Sequence, residues 1–181
     1  GPSRWFTADP AFDARVRRLF GPLVHRLDAE LSVSGTVLDQ PWITRADTAL
    51  ALVIALDQFP RNVFRGSNRA FALDPFAAET AYLAVEFGYD LDVPEPLRAF
   101  FYMPFMHSEH LEDQALGVAL CRARLPADTT TLRHAEAHRD LIARFGRFPH
   151  RNAALGRNST PEEEAFLAEG GCAPGARRRA N

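Results

Sequence analysis

The sequence predicts an all-α fold: stacked antiparallel helical hairpins of the tetratricopeptide-like type, about seven helices in one domain. Three observations predict it. Apolar residues recur at helical spacing along most of the chain. Pro and Gly fall where helices should start and stop. No stretch alternates apolar and polar residues as a half-buried strand would.

The elements follow in order. Asp9-Pro10 reads as an N-cap with proline in the first turn, and Phe12, Val16, Leu19, Leu23, Leu27 and Leu31 continue at helical spacing. Gly21-Pro22 interrupts that run and predicts a kink or a split. A second helix is expected from Thr44 to about Gln58, with Leu50, Val53, Ile54 and Phe59 apolar, and Pro60 ending it. Asp74-Pro75 opens a third, running to Phe87 with Gly88 as its stop. A short helix follows Pro94 and ends before Pro104. His107 to Arg124 is the fifth, with Leu111, Ala115, Val118 and Ala119 facing inwards. Thr131 to Phe145 is the sixth, stopped by Gly146, with Pro149 just beyond. Thr160-Pro161-Glu162-Glu163 has the form of a capping box and opens the last. Residues 4–169 form the expected domain, 1–3 look like a scar of tag removal, and 170–181, with Arg177-Arg178-Arg179, read as a flexible tail.

Composition narrows the function. With 181 residues the chain can bury a real core, and a net charge of −2 creates no field that would draw it to nucleic acid or anionic membrane. All 21 basic residues are Arg, which excludes lysine Schiff-base and P-loop lysine chemistry. Arg is also the cation suited to bidentate contact with carboxylate or phosphate. Cys121 and Cys172 match no metal or redox spacing. No apolar run approaches the ~18 residues of a membrane span, and no signal-peptide pattern is present, so the expected location is cytoplasmic.

One internal similarity stands out. Phe59-Pro60-Arg61-Asn62 follows the second helix and Phe148-Pro149-His150-Arg151-Asn152 the sixth, and a proline-started helix comes after each. Either two related hairpins or convergence on a useful corner would produce this.

These residues also belong to a longer ordered set. It runs through Asp57-Gln58-Phe59-Pro60-Arg61-Asn62, Phe64-Arg65-Gly66, Tyr102-Met103-Pro104, His107-Ser108-Glu109, Asp113-Gln114, His138-Arg139, Phe145 to Asn152, Leu155-Gly156-Arg157 and Ser159-Thr160-Pro161. In this set the chain resembles the DUF924 family from about Trp5 to Leu167. The resemblance implies a tetratricopeptide-like helical fold and carries no function. It also implies an aromatic-rich helix ahead of Trp5, which the present sequence does not contain.

The chemistry-bearing residues group at the two Phe-Pro corners and the helix ends beside them. Arg61, Arg65, Arg144, Arg147, Arg151 and Arg157, with Asn62 and Asn152, would line one cleft if the hairpins face each other. Alternatively they bond free helix-end carbonyls and pair with Asp57, Glu109 and Asp113 inside the fold. His107, Glu109, Asp113 and Gln114 begin the fifth helix, where His107 with Glu109 could act as an acid–base pair, joined by His150. Acidic enrichment in a first helical turn explains Glu109 and Asp113 equally well. His138 lies on an apolar helix face and reads first as a core histidine. No cofactor is expected. His134 and His138 stand at i, i+4, the usual helical spacing for metal ligands, but His134 is not part of the resemblance and Glu136 does not recreate the zinc-protease motif. His107, Glu109, His138 and His150 could still assemble a metal site from separate helices. No nucleophile elbow, phosphate loop or RNA-binding motif is present.

The leading expectation is therefore a small anionic ligand, phosphate- or carboxylate-bearing, held by Asp57, Arg61, Asn62, Arg65, Asp113, Gln114, His138, Arg147, Arg151 and Asn152. His107, Glu109 and His150 would serve any hydrolysis or proton transfer. Its rival is a noncatalytic module whose concave surface takes a peptide or partner helix.

Overall fold

The computed structural model describes residues 9–127 and 129–171; Gly1-Pro2-Ser3, Trp5, Cys172 and Arg177-Arg178-Arg179 lie outside them. Helix α1 spans Pro10–Ser34. Asp9 caps it, accepting the amides of Ala11 at 2.9 Å and Phe12 at 3.2 Å, and Gly35 ends it in the left-handed conformation (φ 71°). Pro22 does not split it. Its ring is on the exposed face, so the carbonyl it cannot serve lies toward water. The buried face is Asp13, Val16, Val24, Leu27 and Leu31, whereas Phe12 and Leu19, which recur at the same helical spacing, are exposed.

After a 3₁₀ turn at Pro41–Thr44 comes a single helical rod in three parts: α2 (Ala46–Val53), a π-helical turn (Ile54–Gln58) and α3 (Phe59–Val63). Pro60 therefore does not end a helix. An α-helical turn would press its ring against the Leu56 carbonyl and need an amide it lacks. Instead the amide of Phe59 bonds Ile54, five residues back, and the widened turn carries the chain past the proline. That bulge sets the direction of Asp57.

Helix α4 (Asp74–Glu86) follows a 3₁₀ turn at Asn68–Phe71, and a second 3₁₀ turn at Leu97–Phe101 leads into α5 (Met103–His107). Pro104 sits inside the first turn of α5, where no amide is needed, rather than beyond a helix end. The expected helix from His107 is interrupted: Ser108 is extended (ψ 146°), and α6 starts only at Leu111, reaching Arg124. The inward face of α6 is Gln114, Gly117, Val118, Leu120 and Cys121, and Leu111, Ala115 and Ala119 point outward. At Gly117 a Cβ would lie 3.1 Å from the Cβ of Phe105, so glycine is what lets α6 close on α5. Helix α7 spans Thr130–Phe145 and ends at Gly146 (φ 68°). Pro149 opens a 3₁₀ turn (Pro149–Arg151) and, like Pro60, ends no helix. The capping box at Thr160 and Glu163 is formed and starts α8 (Pro161–Ala168).

The fold is all-α, with no strand among the described residues. Helices α1 and α3 pack together, α2 lies on α4, α4 on α5, and α5 on both α6 and α7. One core group joins Val16, Leu27, Leu52, Leu56 and Val63; a second joins Val53, Ala84, Phe101, Phe105 and Val118; a third joins Leu141, Ile142 and Phe148. The polar residues discussed next border all three, since Asp57 follows Leu56, His107 follows Met106, and Arg151 lies just past Phe148. No helix among the described residues is long and apolar enough to cross a membrane.

Candidate functional site

The site begins with the π-bulge. Asp57, 1% exposed, accepts a hydrogen bond from His107 Nδ1 at 2.7 Å and from Gln58, and lies 3.2 Å from Arg61. Burial pushes the Asp57 carboxyl up, but the Arg61 guanidinium and the bonds from His107 and Gln58 outweigh it and hold it well below the usual carboxylate range. Burial lowers the His107 value, and the Asp57 charge does not fully restore it. The ring is thus neutral at pH 7, with its proton on Nδ1 because a carboxylate only accepts. Nε2 is left with its lone pair. Sequence reasoning paired His107 with Glu109; its partner is Asp57, brought to it from 50 residues away.

The second half is a shared carboxylate. Arg61 grips Asp74 with both terminal nitrogens, at 2.8 and 3.0 Å, while Arg151 reaches the same carboxylate only at 3.4 Å. The two Phe-Pro corners have different backbones, yet both deliver their Arg to Asp74 and to the Phe71 ring. Arg151 is 7% exposed and its Nε has no hydrogen-bond partner. Its guanidinium carbon is 4.6 Å from the Phe71 ring centre and 4.5 Å from that of Phe148. Burial and the neighbouring Arg61 pull its pKa down to about 10, and Asp74, Glu109 and Asp57 do not make up the difference. It stays cationic at pH 7 but is under-neutralised.

Two more histidines border the cluster. His150 has a buried Nδ1 without a partner, and burial, then Arg151, pushes its pKa down to about 4. His138 meets the Met106 carbonyl at 3.0 Å through Nδ1, which must carry the proton, and burial pushes it down to about 3. A small cavity of about 40 Å³ lies between His107, His138, His134, Met103, Met106, Thr130 and Thr131. Among the described residues, no three His, Cys, Asp or Glu side chains are grouped to hold a metal ion. His107, Glu109, His138 and His150 are not grouped in this way.

Several expected site residues are occupied elsewhere. Glu109 does not face His107: it accepts both terminal nitrogens of Arg157 at 2.7 and 3.0 Å and the Phe148 amide at 2.8 Å. Asn62 and Arg65 turn to buried Asp13 on α1, at 2.9 and 2.8 Å. Arg147 and Asn152 do the same for Glu163 on α8, at 2.7 and 3.2 Å, and Arg147 holds that carboxyl down at about 2. Each Asn thus pins the first turns of a proline-started helix. Gln114 bonds the carbonyls of Met106 and Ser108 at 2.9 and 2.7 Å and so fixes the break between α5 and α6. Asp113 accepts from Tyr82, and exposed Arg144 pairs with Glu162.

The model of a family described as "Bacterial protein of unknown function (DUF924)" matches residues 1–171. The chain belongs to this family. A solved structure, that of the protein of unknown function ATU0120 from Agrobacterium tumefaciens, is 43% identical, with a TM-score of 0.82, covering 93% of this chain and 90% of that one. No curated protein matches the chain.

In this DUF924 chain, sequence reasoning missed Asp74 and Phe71 as members of the cluster. Asp74 was visible only as a helix start. Its distance of 13 residues from Arg61 gave no helical register that would pair them. A weak signal existed nonetheless, because Arg residues at two corners buried in the fold need acids within reach.

Proposed function

We propose that the cluster binds a small phosphate- or carboxylate-bearing molecule in the cytoplasm, with His107 exchanging a proton with it or with a water that attacks it. The observation that carries this reading is Arg151. A buried guanidinium with an unpartnered Nε and one long ionic contact is costly unless something accepts from it. An oxyanion is the chemistry that fits. His107, with Nδ1–H fixed on Asp57, presents Nε2 as a base, and Asp57 stabilises the imidazolium once the proton has moved. In a hydrolysis, the imidazolium gives its proton to the leaving oxygen as a water oxygen bonds to the phosphorus or carbonyl carbon, and Nε2 takes back the proton that this water loses.

The test is thermal unfolding against inorganic phosphate and a panel of phosphomonoesters and carboxylates. A ligand at one hundred times its Kd contributes about 2.7 kcal/mol, or roughly 5–10 °C for a domain of this size. Arg151→Met should abolish the shift, while Arg144→Met, which removes an exposed and paired guanidinium, should leave it intact. A shift that survives Arg151→Met contradicts the assignment.

A second reading draws on a different place. A groove of about 740 Å³ runs between the end of α1 and the Pro41–Thr44 turn, walled by Leu27, Val33, Pro41 and Trp42. Val33 in it is 90% exposed. That groove favours a tetratricopeptide-like interaction module, and Val33→Asp would then weaken partner binding without touching the anion response.

A further inference from the structure

Resting on the anion-binding reading above, we propose that the site takes up its oxyanion together with a proton, which comes to rest on Nε2 of His107. The ligand class is then a phosphate group in its dianionic state, recognised by Arg151 and by a histidine that becomes charged only when the anion arrives.

The argument is one of charge balance. Asp57, Arg61, Asp74 and Arg151 form an alternating chain, linked by contacts of 3.2, 2.8 and 3.4 Å, with neutral His107 attached at its Asp57 end. The chain sums to zero without any ligand, and the neighbouring Arg157–Glu109 pair is also closed. A phosphate dianion at the Arg151 end therefore brings more negative charge than the under-neutralised Arg151 can offset, and leaves the compartment net negative. Leaving buried charge unbalanced is expensive, so binding favours any nearby group able to become cationic.

The titratable groups around His107 decide which one. Asp57 faces it from the π-bulge, Arg61 from α3, Asp74 from α4, His138 from α7 and His150 from the Pro149–Arg151 turn, and His134 lines the same small cavity. The two Arg are already charged. His138 donates from Nδ1 to a carbonyl and has no carboxylate beside it; its value of about 3 keeps it neutral. His150 adjoins Arg151, which repels a second positive charge. Unlike His138 and His150, His107 has a carboxylate on its Nδ1–H, so its imidazolium is compensated as soon as it forms. Anion binding and protonation of His107 therefore reinforce each other, and by linkage each tightens the other equally.

Sulfate is the probe, because its charge is constant through the working range whereas phosphate itself titrates. Calorimetric titration of the full chain with sulfate, in two buffers of different ionisation enthalpy, should show uptake approaching one proton per anion near pH 7. Sulfate affinity should fall close to tenfold per pH unit over the interval between the free and anion-bound values of His107. His107→Asn, which keeps a donor for Asp57, should bind sulfate with an affinity that no longer changes with pH. If that variant does not fold, the parent protein still decides: His107 Nε2 should move to its protonated nitrogen shift as sulfate saturates. Binding of sulfate without proton uptake overturns this inference and leaves the anion site standing. Uptake that persists unchanged in His107→Asn, or a His107 ring that stays neutral at saturation, also overturns it. Failure of both sulfate and phosphate to bind at pH 6.5 overturns the anion-binding reading itself.

Discussion

Asp57→Ala is expected to lower stability by about 3–5 kcal/mol, a fall in melting temperature of roughly 6–20 °C. Asp57 is 1% exposed and serves Arg61, His107 and Gln58 at once. Removing it leaves two-sided Arg61 with Asp74 alone, and Asp74 is already shared with Arg151. It also leaves the His107 Nδ1–H without its acceptor in a buried place. Asp57→Asn should cost less, because the amide oxygen still accepts from His107, and what is lost is the charge opposite Arg61 and the bond from Gln58. Chemical denaturation of both variants separates the two contributions. Equal losses for Ala and Asn would mean the Asp57 charge, rather than its hydrogen bonds, carries the stabilisation; a loss below about 1 kcal/mol for Ala would mean the cluster holds nothing together.

The second large effect is acid sensitivity that begins near pH 6.5 rather than near pH 4. His138 and His150 are held neutral in the fold, with values pushed down to about 3 and about 4. A group whose folded value lies below its unfolded value stabilises the fold above the unfolded value, and that contribution is lost as pH falls toward the folded one. At pH 5 each histidine has given up about 2 kcal/mol relative to pH 7, so the pair accounts for roughly 4 kcal/mol. Below about pH 4 the carboxylates held down in the fold, Asp57 and Glu109, add a second phase of loss. Melting temperature measured from pH 8 to pH 3 should therefore fall in two stages. His138→Asn, which keeps a donor for the Met106 carbonyl, should roughly halve the slope of the first. A melting temperature that is flat between pH 7 and pH 5 would contradict the burial of these rings.

Local chemistry was legible in the sequence and tertiary pairing was not. Asp9-Pro10 and Thr160-Pro161 marked helix starts because a cap and a proline act within one turn. Asp74-Pro75 marked one because an acid and a proline both suit a first turn, although Asp74 caps nothing. Gly146 marked a stop for the same reason. Pro60 misled, since a proline can end a helix or be carried through a π-bulge, and the choice depends on how α3 packs against α1. The break at Ser108 was hidden because Gln114, which fixes it, reaches back to two carbonyls of the preceding segment. The Arg residues were visible as a set, but six equivalent cations do not say which acid each one takes. Four of them, Arg65, Arg144, Arg147 and Arg157, found close partners in Asp13, Glu162, Glu163 and Glu109. Arg61 takes Asp57 and both oxygens of Asp74, and Arg151 keeps only a long contact to Asp74.

The Nε–H group of Arg151 reports on anion binding more directly than any activity or melting curve. Its nitrogen-correlated proton resonance can be followed while inorganic phosphate is added, with Arg144, paired on the surface to Glu162, as the internal reference. A donor without a partner should shift strongly and saturably as an oxyanion accepts from it, and Arg144 should hardly move. If the Arg151 signal stays in place while phosphate saturates the protein, or if it moves no more than Arg144 does, then Arg61, Asp74 and Arg151 are a structural lock and the anion site does not exist.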